Sequence, residues 1–166
     1  MPESWRTRLA RWRFNFFPAY RGTGARVDYI AADWREIRIH LPLSWRTRNY
    51  VGTIFGGSLY GALDPIYMVM LIQALGPEYT VWDKAAVIRF LRPGRDTLFA
   101  RFTLSEDEIA EIRRTAQARG KLERDFDVSL RDHDGVVHAT CVKTVHVRWR
   151  GGTAASEVQG RHELLA

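Results

Sequence analysis

One segment constrains this chain more than any other: FGGSLYGALDPIYMVMLIQAL, from Phe55 to Leu75. It is apolar on every side of a helix and about long enough to cross a bilayer. Asp64, near its middle, would cost roughly 2.5–3.5 kcal/mol there. Gly56, Gly57, Gly61, Pro65 and Gln73 weaken a membrane reading further. A helix that is apolar all round and stays out of the bilayer is buried inside a protein. The segment therefore reads as a core helix, with no integral membrane span, and the rest of the chain must wrap it.

Composition limits what that wrapping is. At 166 residues there is room for one domain. An apolar fraction of 46% with 12% aromatics excludes a disordered or collagen-like chain. The single cysteine, Cys141, excludes a disulfide framework and a multi-thiolate metal site. His138 and His146 share a face of one strand but lie about 26 Å apart, too far to bind one metal. The net charge is +6, from 25 basic and 19 acidic residues. The excess is arginine, with only Lys84, Lys121 and Lys143 as lysines. It reflects either compositional bias or anionic partners. It runs along the whole chain with no nucleic-acid motif, so no nucleic-acid partner is expected. The N-terminal MPESWRTRLARWRFNFF lacks the apolar run of a secretory signal. With a free cysteine, that makes cytoplasmic the expected location.

That N-terminus carries a helical stripe. Trp5, Leu9, Trp12 and Phe16 recur at spacings of four, three and four, with Arg6, Arg8, Arg11 and Arg13 on the other faces. Such a helix either lies on an anionic membrane or docks onto its own domain through its two tryptophans. Docking is the expectation.

Beyond the Pro/Gly region from Pro18 to Gly24, alternation marks strands. Ile37, Ile39 and Leu41 face one way, against Arg38 and His40. Val81 to Leu91, Thr97 to Leu104 and Lys121 to Arg131 follow. Between the last two, Ser105 and Glu108 form a capping box that opens a surface helix. The turn Asp132 to Gly135 leads to the longest strand, with Val137, Ala139, Cys141, Lys143, Val145 and Val147 on one face. The expected class is α+β: about six antiparallel strands curled around one long apolar helix, with an extra N-terminal helix. The expected division is a helix at 1–20, a domain at 21–150 and a flexible tail at 151–166.

Two features of the apolar segment carry chemistry. Glycines at its start leave backbone N–H groups uncovered, where the helix dipole favours an anion or a polarised carbonyl. Asp64 is a carboxylate in apolar surroundings, suited to act as a base. Eight residues of helix separate Gly56 from Asp64 by roughly 12 Å. A single straight helix cannot bring both to one carbonyl carbon, but two antiparallel copies can. A dimer with two composite sites follows.

Asn49, Gly56, Gly57 and Asp64, followed by FLRPGRDTLFARFTL from Phe90 to Leu104, resemble the hotdog-fold thioesterases of the phenylacetate-degradation type. The resemblance runs from about Gly24 to Trp149. In particular the chain resembles a bacterial branch of unknown function (DUF4442-like), with Phe55 where the thioesterases have His. The resemblance implies a hotdog fold and a homodimer or dimer of dimers. It also implies hydrolysis of an acyl thioester, with coenzyme A entering only as part of the substrate and no other cofactor. Gly56 N–H would polarise the thioester carbonyl. Asp64 of the other subunit would act as nucleophile or base, and Asn49 would hold the water or orient the carboxylate. Gly57, Phe55 and Tyr60 would line the cleft. Arg89, Arg92 and Arg95, with Lys84, would meet the phosphates of coenzyme A.

The departures narrow this. Phe55 removes a hydrogen-bonding group, and no histidine lies near the motif, which argues against dehydratase or hydratase activity. Arg89 stands where the thioesterases carry Asn, and near the start of that strand only Thr80 bears a hydroxyl. Each site residue also has a plainer reading. Asp64 before Pro65 is a helix N-cap pattern that splits the segment in two. Asn49 is a turn former, the glycines permit close packing, and the arginines keep a sheet edge soluble. A non-catalytic acyl or acyl-CoA binding module on the same fold is the alternative function.

Overall fold

The computed structural model describes residues 1–151. The expectation of a flexible tail at 151–166 falls outside them, apart from Gly151. Five helices and six strands follow in the order α1 (Trp5–Phe16), α2 (Pro18–Thr23), β1 (Arg26–Ile30), β2 (Glu36–Leu41), α3 (Gly56–Leu63), α4 (Ile66–Leu75), β3 (Tyr79–Phe90), β4 (Leu98–Thr103), α5 (Glu106–Arg119), β5 (Lys121–Arg131) and β6 (Val137–Trp149). The strands form one antiparallel sheet, ordered β1-β2-β4-β5-β6-β3. β4 and β5 share one paired position, Phe99 with Arg131. This near-break lets the sheet curl around α3 and α4, the wrapped arrangement expected from the sequence.

The apolar segment is not one continuous helix. Pro65 has no N–H to give, so α3 ends at Leu63 and α4 starts at Ile66. Leu59, Ala62 and Leu63 of α3 and Ile66, Met70 and Leu71 of α4 are buried against the sheet. Burying each large aliphatic side chain contributes about 1.5–3 kcal/mol. The wrapping is incomplete, which corrects the expectation of cover on nearly all sides. Gly57 is exposed, while Gly61, Asp64, Met68 and Ile72 are half-buried. Gly56, Tyr60, Pro65, Val69 and Ala74 are half-buried too and Gln73 is exposed, while Thr23 of α2 lies against Gly61, so one chain leaves roughly half of the segment short of full burial.

The sheet's two edges are treated differently. On β1, Asn15 of α1 donates its amide to Val27 O (2.9 Å) and accepts from Val27 N–H (2.8 Å), closing that edge as a strand would. On the other side the sheet ends at β3, whose outer edge pairs with no strand among the described residues. β3 contains a bulge at Lys84: Asp83 opposes Val145 and Ala85 opposes Thr144. The extra residue shifts the alternation, so Asp83 and Ala86, which opposes Lys143, both turn inward.

The N-terminal helix forms as expected, with a Ser4–Thr7 capping box, but its orientation is reversed. Thr7 is buried and Ala10 and Phe14 pack against the core, while Trp5 and Trp12 remain 71% and 62% exposed. The expected docking through two tryptophans is therefore overturned. The Asn15 clamp and the Arg11–Glu3 ion pair (2.8 Å) fix the helix by its polar side. The rings are left outside.

Candidate active site at the broken helix

The site has two parts. The first is the mouth of α3. Phe55 precedes the helix and offers no capping side chain. Leu59 N–H is the first taken up, by Phe55 O at 3.0 Å. The N–H groups of Gly56, Gly57 and Ser58 therefore have no intrahelical acceptor. Two backbone bonds hold the mouth in place: Ile54 N–H to Gly94 O (2.8 Å) and Phe55 N–H to Thr47 O (2.7 Å). Gly94 fits because a Cβ there would stand 3.1–3.3 Å from Ile54 and Leu98 side chains. The Pro93–Gly94 turn of the FLRPG stretch is thus the brace of the glycine mouth.

Two phenyl rings lie over those glycines. A Cβ on Gly56 would come within 3.2 Å of the Phe90 ring, and one on Gly57 within 2.3 Å of the Phe55 ring. A side chain at 57 would have to push the Phe55 ring aside. Phe55 is 57% exposed, so it roofs the mouth from outside and does not enter the core. Asn49 serves its own loop. Its Oδ1 accepts from Val51 N–H (3.1 Å) and Thr53 N–H (3.0 Å), and its amide donates to Thr53 Oγ1 (2.9 Å). Within one chain these bonds give Asn49 the turn-forming role. Arg89, Arg92 and Arg95 are all exposed around the end of β3 and the following turn. Lys84 is paired with Glu123.

The second part is the break between α3 and α4. Asp64 keeps helical dihedrals and its side chain caps neither helix. This sets aside the N-cap reading. Instead Lys143 Nζ donates to Asp64 Oδ1 at 2.7 Å. Lys143 projects inward from β6 among Cys141, Val145 and Val147 and is 1% exposed. Its ammonium lies 3.3 Å from Asp83 Oδ2 and 5.4 Å from the Tyr60 ring centroid. A buried ammonium is costly unless paired, and here two carboxylates share it. Burial alone would lower the Lys143 pKa. The Asp64 hydrogen bond and the charges of Asp83 and Asp64 outweigh it and raise it. Burial pushes the Asp83 carboxyl up, against the pull of Lys143. Burial likewise raises the Tyr60 hydroxyl, with Asp64 beside it. The Asp64 side chain remains 41% exposed. It is a carboxylate anchored from behind and open in front.

Alternation along β6 sets Lys143 on the inward face without indicating a role for it, and no motif singles out Asp83. The available signal was a cation set among five small or aliphatic inward positions. No cluster of His, Cys, Asp and Glu suited to a metal occurs among the described residues.

The fold matches solved structures. A Pseudomonas aeruginosa protein of unknown function, described as a probable thioesterase, superposes with a TM-score of 0.77 at 22% identity, covering 90% of this chain and 98% of its own. A Haemophilus influenzae thioesterase gives 0.61 at 17% identity, covering 84% and 89%. A Chlorobaculum tepidum protein of unknown function gives 0.69 at 14%, covering 86% and 93%. At these identities the likeness is one of fold, the hotdog. No curated protein matches the chain. Residues 6–147 match the family described as "Domain of unknown function (DUF4442)", and the chain belongs to that family.

Proposed function

We propose that the protein hydrolyses an acyl thioester at two composite sites in a homodimer, each pairing the glycine mouth of one copy with Asp64 of the other. The observation that carries this reading is Asp64 itself: a half-exposed carboxylate at a helix break, held by a buried lysine. Asp64 takes the proton from a water that adds to the carbonyl carbon, or attacks that carbon directly to give an anhydride that water then opens. The Gly56 N–H donates to the carbonyl oxygen as charge develops there, and in either course the C–S bond breaks and the thiolate leaves. Lys143 is the positioning residue that holds Asp64 aimed, through its 2.7 Å hydrogen bond to Oδ1. Asp83 balances the lysine from the other side. A second copy is supported by the β3 edge, which pairs with no strand among the described residues, and by the partly uncovered side of α3 and α4. The arginines near the end of β3 then meet the phosphates of a coenzyme A thioester. The named likenesses to thioesterases support the same class of substrate.

The second reading is an acyl-binding module without turnover. It is favoured by the Phe55 and Phe90 rings over the two glycines, which narrow access to the mouth. Hydrolysis of a panel of acyl-CoAs by the wild type and Asp64→Asn separates the two. Turnover by the wild type, reduced at least about tenfold in kcat with binding retained, is the expected result. Equal rates for both proteins remove Asp64 from the mechanism. Acyl-CoA binding with no turnover by either protein establishes the binding module.

A further inference from the structure

The N-terminal helix presents a face that the reading above does not use. Around its axis, Trp5, Leu9, Trp12 and Phe16 fall within one narrow sector, at successive offsets of four, three and four residues. All four point away from the domain, at 71%, 46%, 62% and 52% exposure. Arg6 and Arg13 flank this sector on one side and Arg8 on the other, all three exposed. The Arg6 guanidinium sits 5.4 Å from the Trp5 ring centroid. Between Ser4 and Val27 the chain has six arginines and no acidic residue.

A helix free to roll would bury its rings. This one is held by the Asn15–Val27 clamp and the Glu3–Arg11 pair on its inner side, with its most apolar face outward. An aromatic ridge flanked by Arg6 and Arg13 on one side and Arg8 on the other has the layout of a helix lying in a lipid interface. Rings enter the acyl boundary, and guanidinium groups stay level with the phosphates. Nucleic acid fits less well, because its phosphates would face the aromatic centre of the stripe and not the arginines. We infer that α1 docks this protein onto an anionic lipid surface, through Trp5, Leu9, Trp12 and Phe16 with Arg6 and Arg8 beside them.

The test is co-sedimentation of the full chain with vesicles of phosphatidylcholine alone or with about one third phosphatidylglycerol. The expected result is strong binding to the anionic vesicles and little to the neutral ones. Trp5→Ser/Trp12→Ser should weaken binding to anionic vesicles at least tenfold. Arg6→Ser/Arg8→Ser should weaken it severalfold and flatten its salt dependence. Light scattering on the eluted variants checks what else the stripe does. An unchanged mass is expected; dissociation of the tryptophan variant into smaller species assigns the stripe to contact between copies and overturns the proposal. So does a wild type that stays in the supernatant with both vesicles, whether or not it binds a DNA duplex.

Discussion

α1 and the 56–75 segment each carry a polar side chain that anchors them to the sheet, and they send their apolar residues in opposite directions. In α1 the anchor is neutral: the Asn15 amide satisfies the open edge of β1 at Val27. The edge's demand for hydrogen bonds outweighs the burial of two tryptophans, and the rings are left outside. In the 56–75 segment the anchor is ionic: Asp64 with Lys143. Here burial and pairing agree, because the apolar flanks of α3 and α4 and the ammonium of Lys143 all lie inside the curl. The difference shows that a hydrophobic stripe reports what a helix offers. Which face packs inward is decided by the partner it meets.

This comparison can be broken at the ionic anchor first. Lys143→Met leaves Asp64 and Asp83 facing each other without a cation. It should destabilise the protein by about 3 kcal/mol, lowered somewhat by the exposure of Asp64 to water. Urea unfolding reads this, and a change below about 1 kcal/mol would show that the two carboxylates relax apart at little cost. The neutral anchor should matter less. Asn15→Ala opens one N–H and one C=O on β1, at a cost of about 1–2 kcal/mol. Amide exchange should report a more mobile α1 with the sheet core unchanged; protection lost throughout the sheet would make Asn15 part of the main core.

The smallest effect is in alkali, and it separates the two anchors. Lys143 holds its proton more tightly when folded, its pKa raised above the ordinary 10.5. Its stabilisation is whole below about pH 10.5 and fades as the pH climbs through the folded value. Stability measured from pH 9 to 12 should therefore fall more steeply in the wild type and in Asn15→Ala than in Lys143→Met. Identical slopes for all three would show that the lysine titrates alike folded and unfolded.

Much of the architecture could be read directly. Period-two runs marked β2, β5 and β6 close to their observed bounds, and Ser105 with Glu108 marked the start of α5. The Asp64–Pro65 pair announced a break. The cluster at the site was less legible. Lys143 was on the correct face, but nothing local tied it to Asp64, 79 positions away. Asp83 shares the inward face of β3 with Tyr79 and Val81, and a bulge at Lys84 then turns Ala86, opposite Lys143, to the same face. A one-residue bulge leaves no mark in an alternating pattern, so the register that sets Asp83 beside the lysine could not be read.

The sequence by itself determined the elements, their order, the apolar content of the central segment and the aromatic stripe of α1. Those are set by dihedral preference and by the spacing of side chains along one strand or one helix. Only the tertiary structure decided which carboxylates share the buried lysine and which way α1 faces. Both depend on groups distant in the chain competing for the same buried hydrogen bonds, and that competition is settled only when the sheet closes around the helix.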